Sequence, residues 1–134
     1  MQGTDLDVYI ISADTPLEAV REFRALIGKS YIPPLWAFGY QQSRWSYRNS
    51  EAVDRVIERY NAAKIPLDCV YLDIDYMERY KDFTVDEKAF PDFESYVREK
   101  KAQGIHLIPI IDAGVKKEDG YSVYEDGRDK GYFC

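Results

Sequence analysis

Three polar clusters follow short apolar runs in this chain: Gln41-Gln42-Ser43-Arg44-Trp45, Asp73-Ile74-Asp75-Tyr76 and Asp112. Carboxylates accept hydrogen bonds from hydroxyl groups, and an indole presents a flat apolar face. Together they could hold a sugar. Asp73 and Asp112, if close, could also serve as the carboxylate pair that cleaves a glycosidic bond. Each residue has a plainer reading beside this one. An aspartate after a strand can cap a helix, Trp45 can cover the end of a core, and Arg44 can pair with Asp75 or Asp112 as a structural ion pair. His106 opens an apolar run and reads as structural, Cys69 as a small core residue, and Tyr121, Tyr124 and Tyr132 as packing or interface. The coincidence of three polar ends carries the functional side, because parallel α/β folds gather their ligand groups at the carboxyl ends of strands.

The elements that must position these groups follow from the apolar pattern. Leu6–Ser12 reads as a short strand. Thr15, Pro16 and Glu18 then form a helix start, with Gly28 as its stop. Pro33 and Pro34 break the chain, and Leu35–Gln42 reads as a buried strand. Asn49-Ser50 caps a helix whose apolar face is Val53, Val56, Ile57, Tyr60 and Ala63, with Pro66 beyond it. Cys69–Ile74 is a second buried strand, Pro91 to Val97 a further amphipathic helix closed by Gly104, and His106–Ile111 a third strand. Residues 114–134 show no clear period. Strands at the ~35-residue spacing of a βαβ unit, apolar on both faces, predict a parallel α/β sheet with right-handed crossovers. Three such strands do not close a barrel, which needs about 250 residues.

Composition limits the functions open to such a sheet. Of 134 residues, 46% are hydrophobic and 31% charged, as in a globular domain. A net charge of −6 without a basic block argues against nucleic acid as a partner. Apolar runs of about six residues are too short to span a membrane. Two cysteines and one histidine form neither a disulfide framework nor a zinc site, and neither a phosphate-cradling glycine loop nor a GxSxG elbow occurs. No signal peptide is read at Met1, which favours the cytoplasm while leaving the compartment open.

The motifs carry a resemblance. Pro34-Leu35-Trp36-Ala37-Phe38-Gly39-Tyr40 with Ser43-Arg44-Trp45-Ser46-Tyr47 resembles the first barrel strand of glycoside hydrolase family 31. Asp73-Ile74-Asp75-Tyr76-Met77 with Asp82-Phe83-Thr84 is similar to that family's second-strand signature, and Phe90-Pro91, Gly104 and Ile108-Pro109-Ile110-Ile111-Asp112 to its next helix and third strand. The resemblance runs in family order over residues 31–115, and the segment before it resembles the family's passage from a β-sandwich into the barrel. It implies the first three βα units of a TIM (β/α)8 barrel, divided as residues 1–30 leading in, 31–114 forming strands 1–3 with helices 1–2, and 115–134 beginning a loop or insert.

In function, the resemblance implies part of a retaining α-glucosidase acting on terminal non-reducing glucose of α-glucoside oligosaccharides. Asp73, Ile74, Trp45, Ile110 and Asp112 would line the terminal-sugar subsite. The family's nucleophile and acid/base motifs do not occur in these residues, so both would come from the remainder of the parent chain, and Asp73 and Asp112 become substrate-holding groups. Ala113 stands where a Pro commonly follows the third-strand Asp. No metal or organic cofactor is implied, since carboxylates and water suffice for this reaction class. Linkage preference and oligomeric state stay open. Two other classes remain beside the enzyme: a non-catalytic carbohydrate-binding module built on Asp73 and Trp45, and an α/β domain whose acidic, tyrosine-rich surface binds a protein.

Overall fold

The computed structural model describes residues 6–133, so Met1 and Cys134 lie outside the described residues. The chain divides into two compact units, Met1–Pro33 and Pro34–Cys134.

In the first unit, helix α1 spans Pro16–Ile27. The Thr15 side chain accepts from the Glu18 amide, which satisfies one of the donors a helix start leaves open, and Glu18 reaches back to the Asp14 amide just before the cap. Gly28 ends the helix at φ 87°, a conformation that glycine adopts without a Cβ penalty. The strand expected over Leu6–Ser12 does not form. A strand needs a ladder partner, and no strand forms among the described residues of this unit.

The second unit holds a three-stranded parallel sheet in the order β1-β2-β3, with β1 Gln41–Gln42, β2 Cys69–Leu72 and β3 His106–Pro109. Gln41 sits level with Cys69, and Cys69 with His106. Helix α2 (Ser50–Ala62) connects β1 to β2, and helix α3 (Phe93–Ala102) connects β2 to β3. The parallel α/β sheet expected from the apolar runs is present.

The long first strand is not. Leu35–Phe38 is a turn of 3-10 helix, and pairing begins only at Gln41. The ladder ends where the Asp68 carboxylate takes the Tyr40 amide at 3.1 Å; the Tyr40 carbonyl still accepts from the Asp68 amide at 2.9 Å. Asp68 lies so close to Gly39 that a Cβ there would collide with the carboxylate.

Alternation along β2 decides which residues meet which partners. Val70 and Leu72 are fully buried and pack with Val53 and Ile57 of α2, Tyr96 of α3, Phe90 and Ile105. Full burial of each such aliphatic side chain is worth about 1.5–3 kcal/mol. Tyr71 and Asp73 fall on the opposite face and are half-buried. Cys69, on the face of Tyr71 and Asp73, is also fully buried, so β2 is buried on both faces at its start and half-open on one face toward its end.

A fourth helix, α4 (Ser122–Asp129), occupies the stretch where the sequence shows no period. Gly127 hides it, being a poor helix former by propensity. It is buried where a Cβ would strike the Phe133 ring.

Helices α2 and α3 are bolted by Lys100, 6% exposed, whose ammonium lies 2.8 Å from Asp54. Burial alone would lower the Lys100 pKa, but its hydrogen bonds to Asp54 and Glu99 outweigh this and raise it. Tyr96 donates to the same Asp54 oxygen at 2.9 Å. Its phenol is raised well above the ordinary value, first by burial and then by the Asp54 hydrogen bond. An unfolded tyrosine loses its proton near pH 10 while the buried one keeps it, so above about pH 10 the unfolded state binds fewer protons and stability falls. Lys100 acts in the same direction. Tyr96→Phe should cost about 1 kcal/mol at pH 7 and lose less stability than wild type between about pH 7 and pH 11, as read from urea unfolding midpoints at the two pH values.

Candidate functional site

The carboxyl ends of the three strands open into one cleft of about 230 Å³ lined by Ser43, Arg44, Tyr71, Leu72, Asp73 and Ile110. Each lining residue arrives there for a local reason. Ser43 and Arg44 follow β1 directly, Tyr71 and Leu72 belong to β2 and Asp73 follows them, and Ile110 follows β3. Two hydrogen bonds hold Ile110 in place: its amide donates to the Leu72 carbonyl at 2.9 Å, and its carbonyl accepts from the Tyr76 hydroxyl at 2.9 Å.

Asp73 ends β2 and starts a 3-10 turn, Ile74–Tyr76, with Oδ1 accepting from the Ile74 amide at 2.7 Å. A half-buried carboxylate has acceptor capacity for several donors, so one amide leaves room for further hydroxyl groups. Tyr71 lies two residues earlier on the same face, where its hydroxyl donates to Gln41 Oε1 at 2.6 Å and ties β1 to β2 above the cleft.

Of the five residues expected to line a sugar subsite, the structure brings Asp73 and Ile110 together in this cleft. Trp45 stands 74% exposed, and its indole N–H donates to Asp75 Oδ2 at 3.1 Å. Ile74 packs against the hydrophobic core. Asp112 is exposed at φ 50°, and its carboxylate has no hydrogen bond or ion pair among the described residues. The expected ion pair of Arg44 with Asp75 or Asp112 is absent among the described residues. Asp75 takes the Trp45 indole instead, and the Arg44 guanidinium lies 6.0 Å from the Tyr47 ring centre.

Ser43 and Arg44 come from the polar end expected after the first strand, while sequence reasoning missed Tyr71 as a cleft residue. The period-2 spacing from Asp73 places Tyr71 on the same face, so that signal was available. His106 is structural as expected, stacked on Trp36 with ring centres 4.0 Å apart, and Cys69 is buried and free, its thiol pushed up by burial and by Asp68. Among the described residues no group of acidic, His and Cys side chains is arranged to hold a metal ion, and no helix is long and apolar enough to cross a membrane.

The family model for the glycosyl hydrolases family 31 TIM-barrel domain matches residues 30–134. The chain belongs to glycosyl hydrolases family 31. Its parallel sheet is therefore part of a TIM barrel, with the cleft at the end of the strands where that fold assembles its sites. Alpha-glucosidase 2 of Bacillus thermoamyloliquefaciens is 38% identical over 133 residues, which is 99% of this chain and 17% of the relative. Lysosomal alpha-glucosidase of Mus musculus is 31% identical over 98% of this chain and 14% of its own length. Among solved structures, the glucosidase II alpha subunit in its DNJ-bound form matches 89% of this chain and 13% of its own at TM-score 0.82 and 30% identity. A family 31 alpha-xylosidase from a soil metagenome, complexed with xylose, matches 90% of this chain and 18% of its own at TM-score 0.80 and 26% identity. The chain thus spans less than a fifth of each of these family 31 proteins.

The contact between Trp45 and Asp75 is exposed, so it orients the indole at little energetic gain. Asp75→Ala should shift the Trp45 indole proton resonance while changing folding stability by no more than about 1 kcal/mol; an unmoved resonance would show that the two side chains do not meet in solution.

Proposed function

We propose that this chain is part of a retaining α-glucosidase and supplies one wall of the subsite for the terminal non-reducing glucose. The single observation that carries the reading is the cleft at the strand ends, in which the half-buried Asp73 lies beside Ile110 in a family 31 barrel. The sugar class is supported by identity: among solved structures the family 31 alpha-glucosidase from Bacteroides thetaiotaomicron stands at 35%, against 26% for the alpha-xylosidase.

In this reading Asp73 holds sugar hydroxyls with the acceptor capacity left after the Ile74 amide is bound, and Ile110 closes the apolar side of the ring. Trp45, oriented by Asp75, stands at the outer rim as a stacking face. Ile74 supports the site from beneath, and Asp112 is the carboxylate of the neighbouring strand end. The nucleophile and the acid/base belong to the rest of the whole protein, and these residues bind rather than react. Residues 1–30 lead into the barrel, 31–114 form its first three strands, and 115–134 begin the insert after the third.

Charge on Asp73 matters most as the ring flattens toward an oxocarbenium-like transition state, when hydrogen bonds to its hydroxyls strengthen. Asp73→Asn separates this role from the turn, because the amide oxygen still accepts from the Ile74 amide while the charge is lost. In the full-length protein it should lower kcat/KM for an α-glucoside by the equivalent of about 2–4 kcal/mol, with the folding midpoint nearly unchanged. Unchanged kcat/KM would remove Asp73 from the subsite. A wild-type protein that cleaves α-xylosides and leaves α-glucosides intact would overturn the sugar assignment.

A further inference from the structure

A charge cluster around Glu118 takes no part in the site described above. The Glu118 carboxylate accepts a hydrogen bond from Arg79 Nη2 and lies 3.6 Å from Lys81 Nζ and 3.2 Å from Lys116 Nζ. Lys81 is only 7% exposed, and its ammonium, so far removed from water, is shared between Glu118 and Glu78, whose carboxylate lies 3.4 Å away. Burial would raise the Glu118 pKa, but the hydrogen bond from Lys116 and the charges of Arg79, Lys116 and Lys81 outweigh it and hold the carboxyl below its ordinary value.

This cluster joins the loop after β2 to the segment after β3. Lys116 Nζ also donates to the Arg79 carbonyl at 3.1 Å, and the buried Tyr121 hydroxyl donates to the Asp82 carbonyl at 2.6 Å. Arg79, Tyr80 and Phe83 stand at φ 52°, 61° and 61°, a region that side-chain-bearing residues occupy only when their surroundings hold them there. The opposite end of the same connection is tied at the cleft, where the Ile110 carbonyl accepts from Tyr76. The stretch from Ile110 to Glu118 is therefore fastened to the β2 side at both ends, and Asp112 lies exposed within it at φ 50°. A short segment fixed at both ends has few conformations left to it.

We propose that Glu118 is a positioning residue: by fastening the far end of the loop after β3, it fixes where the Asp112 carboxylate stands, two residues beyond the cleft residue Ile110. The proposal rests on the reading of Asp112 as a sugar-binding group. Glu118 touches none of the residues lining the cleft, so its effect on a substrate has to pass through the loop it holds.

The test is a double-mutant cycle in the full-length enzyme, with p-nitrophenyl α-D-glucopyranoside as substrate. Asp112→Asn and Glu118→Gln should each raise KM by roughly fivefold while kcat moves less than about twofold, the pattern of lost binding. The double variant should be no worse than Asp112→Asn alone, since one residue acts through the other. Glu118→Asp, which keeps the charge, should recover most of the loss. Multiplying effects in the double variant, or an unchanged KM in Glu118→Gln beside a raised KM in Asp112→Asn, would overturn the role of Glu118. An unchanged KM in Asp112→Asn would overturn the reading of Asp112, and the role of Glu118 with it. Should Glu118→Gln fail to fold, Arg79→Met removes one exposed arm of the cluster and should raise KM in the same direction; an unchanged KM there would count against the proposal.

Discussion

Val70 and Leu72 have no exposed surface, and the two helices that follow and precede their neighbours pack on them. Because successive residues of a strand point to opposite faces, burying this pair sends Tyr71 and Asp73 to the other side. No one-residue slip is open to β2 without bringing Tyr71 and Asp73 under α2 and α3. The position of Asp73 at the mouth is thus set by the core rather than by anything at the mouth. The register with β3 extends the effect, since Leu72 stands level with Pro109 and its carbonyl holds the Ile110 amide. One buried pair on the central strand therefore aligns the two residues that face each other across the cleft.

The sheet and its loops are secured by different physics. On the helix side the work is done by apolar contact, with one buried ammonium whose desolvation cost is offset by Asp54 and Glu99. Around the mouth the contacts are polar and specific in direction: Asp73 on its own turn, Tyr76 on Ile110, Asp75 on Trp45. Directional bonds suit a site, because they fix where a group points as well as how deep it lies.

Much of this was legible in the sequence where a local rule and the tertiary fold agree. The caps at Thr15 and Asn49, the stop at Gly28, the parallel sheet and the polar strand ends all follow from spacing and residue type. The family was legible from the Asp73 and Asp82 motifs. Where a tertiary partner decides, the sequence misleads. Leu35–Phe38 has the composition of a strand and becomes a 3-10 turn, and just beyond it the Tyr40 amide goes to the Asp68 side chain instead of to a ladder. Leu6–Ser12 has strand residues and no strand to pair with in its unit. The helix over Ser122–Asp129 was obscured by Gly127, whose presence answers to the ring of Phe133 rather than to helix propensity. Asp75 was legible as a candidate partner, yet which of Arg44 and Trp45 it would bond depended on the path of the backbone between them.

The 12 tyrosines acquire a definite meaning from the same distinction. Composition alone left them suited equally to a core, an interface or a sugar cleft. Four are buried, and each ring lies in apolar packing or over a cation while its hydroxyl reaches a polar partner elsewhere. Tyr47 accepts from Gln42, Tyr76 donates to Ile110, Tyr96 to Asp54 and Tyr121 to Asp82. The last three pairs are separated by 34, 42 and 39 residues, the scale of a whole βα unit. Phenylalanine would fill the same volume but could not bond across that distance. In a sheet whose strands pair over only two to four residues, these hydroxyls supply long-range order that the short ladders do not. Three of the tyrosines thus stitch successive βα units together through their hydroxyls.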